Sequence, residues 1–284
     1  MSTSEDYRVT LNIESKTVSI VPLASIMEID KLYMTGSALA EEVEVQKTLE
    51  NDALYAWRGE LSAGQIWFPV EFNGERNLTL VPSKDGHDIL DGQADVFTSV
   101  ASVAAAGRYW EIPADGTYRI VVNVDSKTVK IYSAATDLQP KVTSEWKNTQ
   151  MPNAETGENF TWVTTPIEAL WMWGTFDSEA NRNAPTDKYK MSASLANPYI
   201  FVWSGKMPVG NVKFLASKVW NNVYAFGASN TRDEVIKAEL GQEYVMVAGQ
   251  GNNRYSYYTI PADTNFIMVD ITDDANPKVV FDKK

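Results

Sequence analysis

Lys213, Lys218, Trp220, Asn221 and Asn222 fall within ten positions of one another, at the end of the stretch Asn197–Asn222. A flat apolar ring beside amide and ammonium donors suits a sugar. The C–H face of the sugar packs on the aromatic plane while its hydroxyls take hydrogen bonds. The same residues also read as a surface loop with one half-buried tryptophan. What favours the first reading is that most of the stretch occurs twice in the chain. NDALYAWRGELSAGQIWF (Asn51–Phe68) returns as NPYIFVWSGKMPVGNVKF (Asn197–Phe214), with Trp57, Gly59, Gly64 and Phe68 matched to Trp203, Gly205, Gly210 and Phe214.

Bond-breaking chemistry finds less to work with. Glycoside hydrolysis needs two carboxylates facing each other across a cleft. The chain has 37 acidic residues, and no spacing among Glu111, Asp115, Asp177, Glu179, Asp263 and Asp270 singles out a pair. There is no G-x-S-x-G elbow and no glycine-rich phosphate loop after a strand. The absence of cysteine excludes thiol catalysis, disulfides and cysteine-ligated metals. The single histidine, His87, has no partner histidine and reads as an incidental loop residue. The run Asp270–Pro277, DITDDANP, offers oxygens to calcium but also reads as a plain turn between the last two strands. The expectation is therefore a protein that is not an enzyme and carries no cofactor or metal.

A formal charge of −12 over 284 residues excludes a nucleic-acid partner, which needs a concentrated basic surface, and makes a neutral or cationic ligand the simpler expectation. With 44% hydrophobic and 22% charged residues the chain is a globular one, long enough for two cores. Nine Trp and 13 Tyr favour strands and contact surfaces. No window approaches the run of roughly 20 apolar residues that a membrane helix needs. No basic segment followed by an apolar one marks an export signal, which would have been removed or never present.

The elements that must position the candidate residues are short strands. Val9, Leu11 and Ile13 alternate with polar residues, and Val18 and Ile20 resume the alternation after a turn, which predicts a hairpin over Tyr7–Val21. Tyr118–Tyr132 repeats it, with Ser126-Lys127-Thr128-Val129 answering Ser15-Lys16-Thr17-Val18. KLYMTGS (Lys31–Ser37) matches ALWMWGT (Ala169–Thr175) at an offset of 138, the Trp57 stretch matches the Trp203 stretch at 146, and IPAD recurs at 112–115 and 260–263 at 148. Slowly growing offsets in one order indicate two homologous modules with loop insertions.

The expected division is a hairpin in residues 1–29 that ends a module whose start precedes them, module one in 30–137, a linker or edge strand in 138–165, and module two in 166–284. Trp146 and Trp162 would pin the linker. Period-two patterning predicts an all-β fold of tandem β-sandwich modules. Tyr199, Phe201 and Trp203 would share one face, and Val245 and Val247 would repeat that pattern. Asp95–Gly107 and Asp233–Leu240 alone invite a helix.

The module pattern resembles the SusE/SusF-type outer-membrane proteins of Bacteroidetes. Its residues are a strand like ALWMWGT, then NPYIFVWSGKMPVGNVKF with a Trp-bearing loop, a strand opening with IPAD, and a closing hairpin with a Val-Asp pair. That resemblance, which covers both repeats, implies tandem immunoglobulin-like modules of a surface lipoprotein, several of which bind starch without cleaving it. It implies oligosaccharide or polysaccharide as partner, an outer-membrane glycan transporter as a second one, and a surface-exposed place at the cell outer membrane through a lipid anchor outside these residues.

Carried onto this sequence, the ligand site would comprise Trp173, Lys213, Lys218, Trp220 and Asn222. Trp203, matched by Trp57 and alternating with Phe201, reads as core. Module one departs from the pattern: Thr35 stands at the Trp173 position, Trp67 at the Lys213 position, and the loop EFNGERNL has no aromatic where Trp220 stands. Arg76 and Asn77 retain hydrogen-bonding capacity there, and the module reads as a spacer or a different site. Open alternatives are an accessory domain of a glycan-degrading enzyme and an adhesive module that binds protein.

Overall fold

A computed structural model describes residues 7–12, 17–22, 29–84, 91–101, 107–148, 160–177, 185–218 and 223–284. The chain divides into two compact units, Met1–Asp137 and Leu138–Lys284.

Unit one opens with the antiparallel hairpin β1 (Tyr7–Asn12) and β2 (Thr17–Pro22), as its alternation predicts. There follow β3 (Lys31–Met34), β4 (Val43–Lys47), β5 (Leu54–Leu61), β6 (Gly64–Ile66), β7 (Phe68–Phe72), β8 (Glu75–Pro82), β9 (Ala94–Val100), β10 (Trp110–Ile112), β11 (Gly116–Asn123) and β12 (Thr128–Ser133). The ladder runs β11-β12-β9-β8-β7-β3-β4-β5 and closes from β5 back to β11, so none of these eight strands has an open edge. β6 and β10 form a separate ribbon. Alternate residues point inward because the strand period is two. Leu32 and Met34 of β3, Phe68 and Val70 of β7, and Ile120 and Val122 of β11 meet Trp110 in one core. The repeated hairpins share a register: Tyr7 faces Pro22 and Asn12 faces Thr17, while Tyr118 faces Ser133 and Asn123 faces Thr128, every position shifted by 111.

Unit two contains β13 (Val142–Asn148), β14 (Phe160–Pro166), β15 (Ala169–Gly174), β16 (Lys190–Ala193), β17 (Ile200–Ser204), β18 (Asn211–Leu215), β19 (Ala225–Gly227), β20 (Val235–Lys237), β21 (Glu243–Val245), β22 (Val247–Gly249), β23 (Tyr257–Thr259), β24 (Phe266–Asp270) and β25 (Lys278–Asp282). Its main path, β20-β23-β18-β15-β16-β17-β24-β25-β21, repeats in β18-β15-β16-β17-β24-β25 the order β7-β3-β4-β5-β11-β12 of unit one. The chain is thus all-β and of the sandwich type, built twice on one strand order.

Three local expectations are corrected. Of Asp95–Gly107, the residues up to Val100 lie in β9, whose Phe97 is buried while Val96 is exposed, and residues 102–106 lie outside the described residues; β8 and β12 each offer an edge that β9 fills. Asp233–Leu240 supplies β20, paired in parallel with β23. Beyond Gly241 the inward residues are Tyr244, Met246 and Ala248, whereas Val245 is exposed, so the alternation runs one residue out of step with the expected one. Tyr199, Phe201 and Trp203 do share the core side. The segment expected to be a linker or edge strand forms the hairpin of β13 and β14, with Trp146 opposite Trp162. Its root is fastened by Lys141, whose amine donates to the Thr272 carbonyl at 2.7 Å and pairs with Asp274.

Candidate functional site

Strand alternation gives β15 and β18 two different faces. Leu170, Met172, Val212 and Phe214 enter the main core of unit two. Trp171, Trp173, Lys213 and Leu215 lie on the other face, where Trp171 is opposite Leu215 and Trp173 opposite Lys213. On that side Trp173, Leu215, Val223 and Ala225 form a second small cluster with Tyr257 of β23 against it. β23 reaches the site because it pairs with β18, Val212 opposite Tyr258, which leaves Tyr258 in the core and Tyr257 on the site face.

The Lys213 amine is the centre of this face. Its nitrogen lies 4.5 Å from the ring centre of Trp173, 4.9 Å from that of Tyr257 and 5.6 Å from that of Tyr255. It donates a long hydrogen bond of 3.5 Å to the Tyr257 hydroxyl. Trp173 and Tyr257 stack at 6.4 Å and 26°. Only 5% of Lys213 and 8% of Trp173 are exposed, so both form the floor of the site; Arg254, Tyr255 and Tyr257 are half-buried and form its rim. Among the described residues no carboxylate pairs with Lys213. Burial, with the Arg254 charge as a smaller contribution, draws its amine from 10.5 down to about 7. Burial likewise raises the Tyr257 hydroxyl above its ordinary value.

Of the five residues expected at the site, Trp173 and Lys213 are brought together. Lys218 is engaged at the Trp171 end of the face, where its amine bonds Asp187 at 2.7 Å and Asp187 also accepts the Trp171 indole N–H at 3.2 Å. These contacts, that of Lys218 first, hold the Asp187 carboxyl below the usual range. Trp220 and Asn222 lie outside the described residues. Trp203 packs half-buried on the main core, 6.4 Å from Tyr189. Sequence reasoning missed Tyr255, Tyr257 and Arg254. Their signal was two tyrosines two positions apart in RYSYYT, immediately before the second IPAD.

The equivalent face of unit one is chemically different. Thr35 is opposite Trp67, in the places of Trp173 and Lys213. Tyr33, at the Trp171 position, lies 3.6 Å beneath the Arg76 guanidinium, and Arg76 is paired with Glu42 at 2.6 Å and with Glu71 at 3.2 Å. Asn77 donates to Glu75 at 2.6 Å. No group of three metal-ligating side chains occurs among the described residues. In the Asp270–Pro277 turn, Asp270 accepts the Thr272 N–H, Asp273 accepts from Ala275 and Asn276, and Asp274 pairs with Lys141. Among the described residues no helix is long and apolar enough to cross a membrane.

No protein-family model and no curated protein matches this chain. Among solved structures, the crystal structure of SusF from Bacteroides thetaiotaomicron aligns with 94% of this chain at 13% identity, with a TM-score of 0.28. The chain spans 52% of that protein's length.

Proposed function

We propose that this chain is a non-catalytic glycan-binding protein of the SusE/SusF type. In this reading two immunoglobulin-like modules, one in 30–137 and one in 166–284, hold a starch-like or other oligosaccharide at the outer surface of a Gram-negative cell for a neighbouring transporter. Unit two is the binder and unit one a spacer or a different site.

The observation that carries the reading is the Trp173–Lys213 pair set outside the main core, with Tyr255 and Tyr257 at its rim. A sugar ring stacks on the rim tyrosines and on Trp220, and its hydroxyls bond Lys218 and Asn222. Stacking on an aromatic ring is worth about 1–3 kcal/mol on the scale known for nucleobases. Two such rings give micromolar to millimolar affinity.

Affinity electrophoresis of the whole chain in gels containing starch, xyloglucan, mannan or pectin tests this. Retardation by at least one polysaccharide, weakened about ten-fold in Trp220→Ala and in Tyr257→Ala with the circular dichroism spectrum unchanged, is the expected outcome. Release of reducing ends by the purified chain would instead favour an enzyme of glycan breakdown. Binding to a transporter subunit but to no glycan would favour an adhesive module.

A further inference from the structure

The aromatic floor of the site holds an amine that pairs with no carboxylate among the described residues. Lys213 is only 5% exposed, and no carboxylate of the described residues pairs with it. Two further cations crowd the same corner. The Arg232 guanidinium lies 4.1 Å and that of Arg254 5.4 Å from the ring centre of Tyr255, which itself lies 5.6 Å from the Lys213 amine. A chain of net charge −12 thus concentrates three cations around one tyrosine at the rim of its candidate site. Of these, Arg232 is paired with Asp233, 3.7 Å away and 80% exposed at its side chain.

We propose that the ligand of this face is a saccharide bearing a carboxylate, a uronate unit of an acidic glycan, with its ring on Tyr255 and Tyr257 and its carboxylate directed at Lys213 and Arg254. This inference rests on the glycan-binding reading above and narrows its ligand class. A neutral sugar would leave the buried amine as it stands, with ring faces and one long hydrogen bond as its partners among the described residues. A carboxylate supplies the opposite charge in a site where water screens little, and charge-assisted hydrogen bonds are the stronger kind.

Elsewhere on the site face one cation is paired and another, Lys190, lies 5.8 Å from the ring centre of Trp171. Lys218 is paired with Asp187, and the described groups that surround Lys213 itself are Trp173 from β15, Tyr257 from β23 and Tyr255 and Arg254 from the turn before it, with Asp233 acting on Tyr257 from farther off. Because burial holds the free amine near 7, an arriving carboxylate restores its proton. Binding above neutrality therefore takes a proton from the buffer.

The test is calorimetry of the full chain at pH 8 with oligogalacturonate, with the methyl-esterified oligomer and with a maltooligosaccharide of equal length, repeated in buffers of different ionisation enthalpy. Polygalacturonate, alginate, starch, xyloglucan and mannan are added in affinity gels. The expected result is oligogalacturonate binding at least ten-fold tighter than its ester, with uptake of close to one proton per ligand, abolished in Lys213→Met. Arg254→Gln, which leaves the floor intact, weakens the same binding several-fold and serves if Lys213→Met does not fold. Binding of neutral glycans alone, or acidic-glycan binding without proton uptake, overturns the inference and leaves glycan binding standing. Binding of no glycan overturns both.

Discussion

A lysine amine packed among Trp173, Tyr255 and Tyr257 exchanges its hydration for ring faces, and the exchange is unfavourable enough to bring its pKa to about 7. In the unfolded chain the same amine titrates near 10.5. Between those values the unfolded chain binds more protons than the folded one, so stability rises with pH, by at most about 1.4 kcal/mol per unit. Below pH 7 both states carry the charge, and the folded state bears the full cost of burying it. Unit two is accordingly expected to have a higher urea midpoint at pH 9 than at pH 6.5. Lys213→Met keeps the buried stem and removes the titration, so the rise should flatten in that variant; an equal rise would assign it to other groups. The comparison stops short of pH 10, because burial raises the hydroxyls of Tyr224, Tyr257 and Tyr258, whose unfolded counterparts begin to ionise there.

Between strands, the site depends on how closely β15 and β18 approach. A methyl group at Gly174 would run into the Asn211 carbonyl oxygen, which already accepts the Thr175 N–H at 2.9 Å. Gly36 has the same relation to the Gln65 carbonyl in unit one. Gly174→Ala should therefore displace β18, lower the stability of unit two by about 2 kcal/mol or more, and cost glycan binding. Gly36→Ala should do the first in unit one alone; urea unfolding followed by tryptophan fluorescence and proteolytic mapping separates the two.

The correspondence of the two repeats was legible in the sequence, whereas the facing of these residues across strands was not. The offsets of 138 and 146 that align the repeats carry Thr35 onto Trp173 and Trp67 onto Lys213, and both pairs are cross-strand neighbours. What went unread was the pairing of β23 with β18, which repeats that of β10 with β6 in unit one and brings Tyr257 beside Lys213 only through that register. Residues 95–100 read as the start of a helix for a related reason: local propensity was read where two open strand edges decided the outcome.

At the scale of the molecule, the two cores do not share a residue. One cluster draws on residues between Ile29 and Ile131, the other on residues between Ile167 and Phe281, and each is large enough to stabilise its own sandwich. Phe68 and Phe214, matched in the repeats, are both fully buried. Truncating either to alanine should cost about 3–5 kcal/mol in its own unit. Because Trp173, Lys213, Tyr255 and Tyr257 are all positioned by unit two, the two variants should part company in function. Phe68→Ala is expected to lose protease resistance in residues 29–131 while its retardation in glycan gels is unchanged. Phe214→Ala, one strand position from Lys213, should lose that retardation at temperatures where unit one is still protected. Loss of binding in Phe68→Ala, with unit two still resistant to protease, would mean that the site draws on unit one, and the cation cluster around Tyr255 would then no longer suffice as its account.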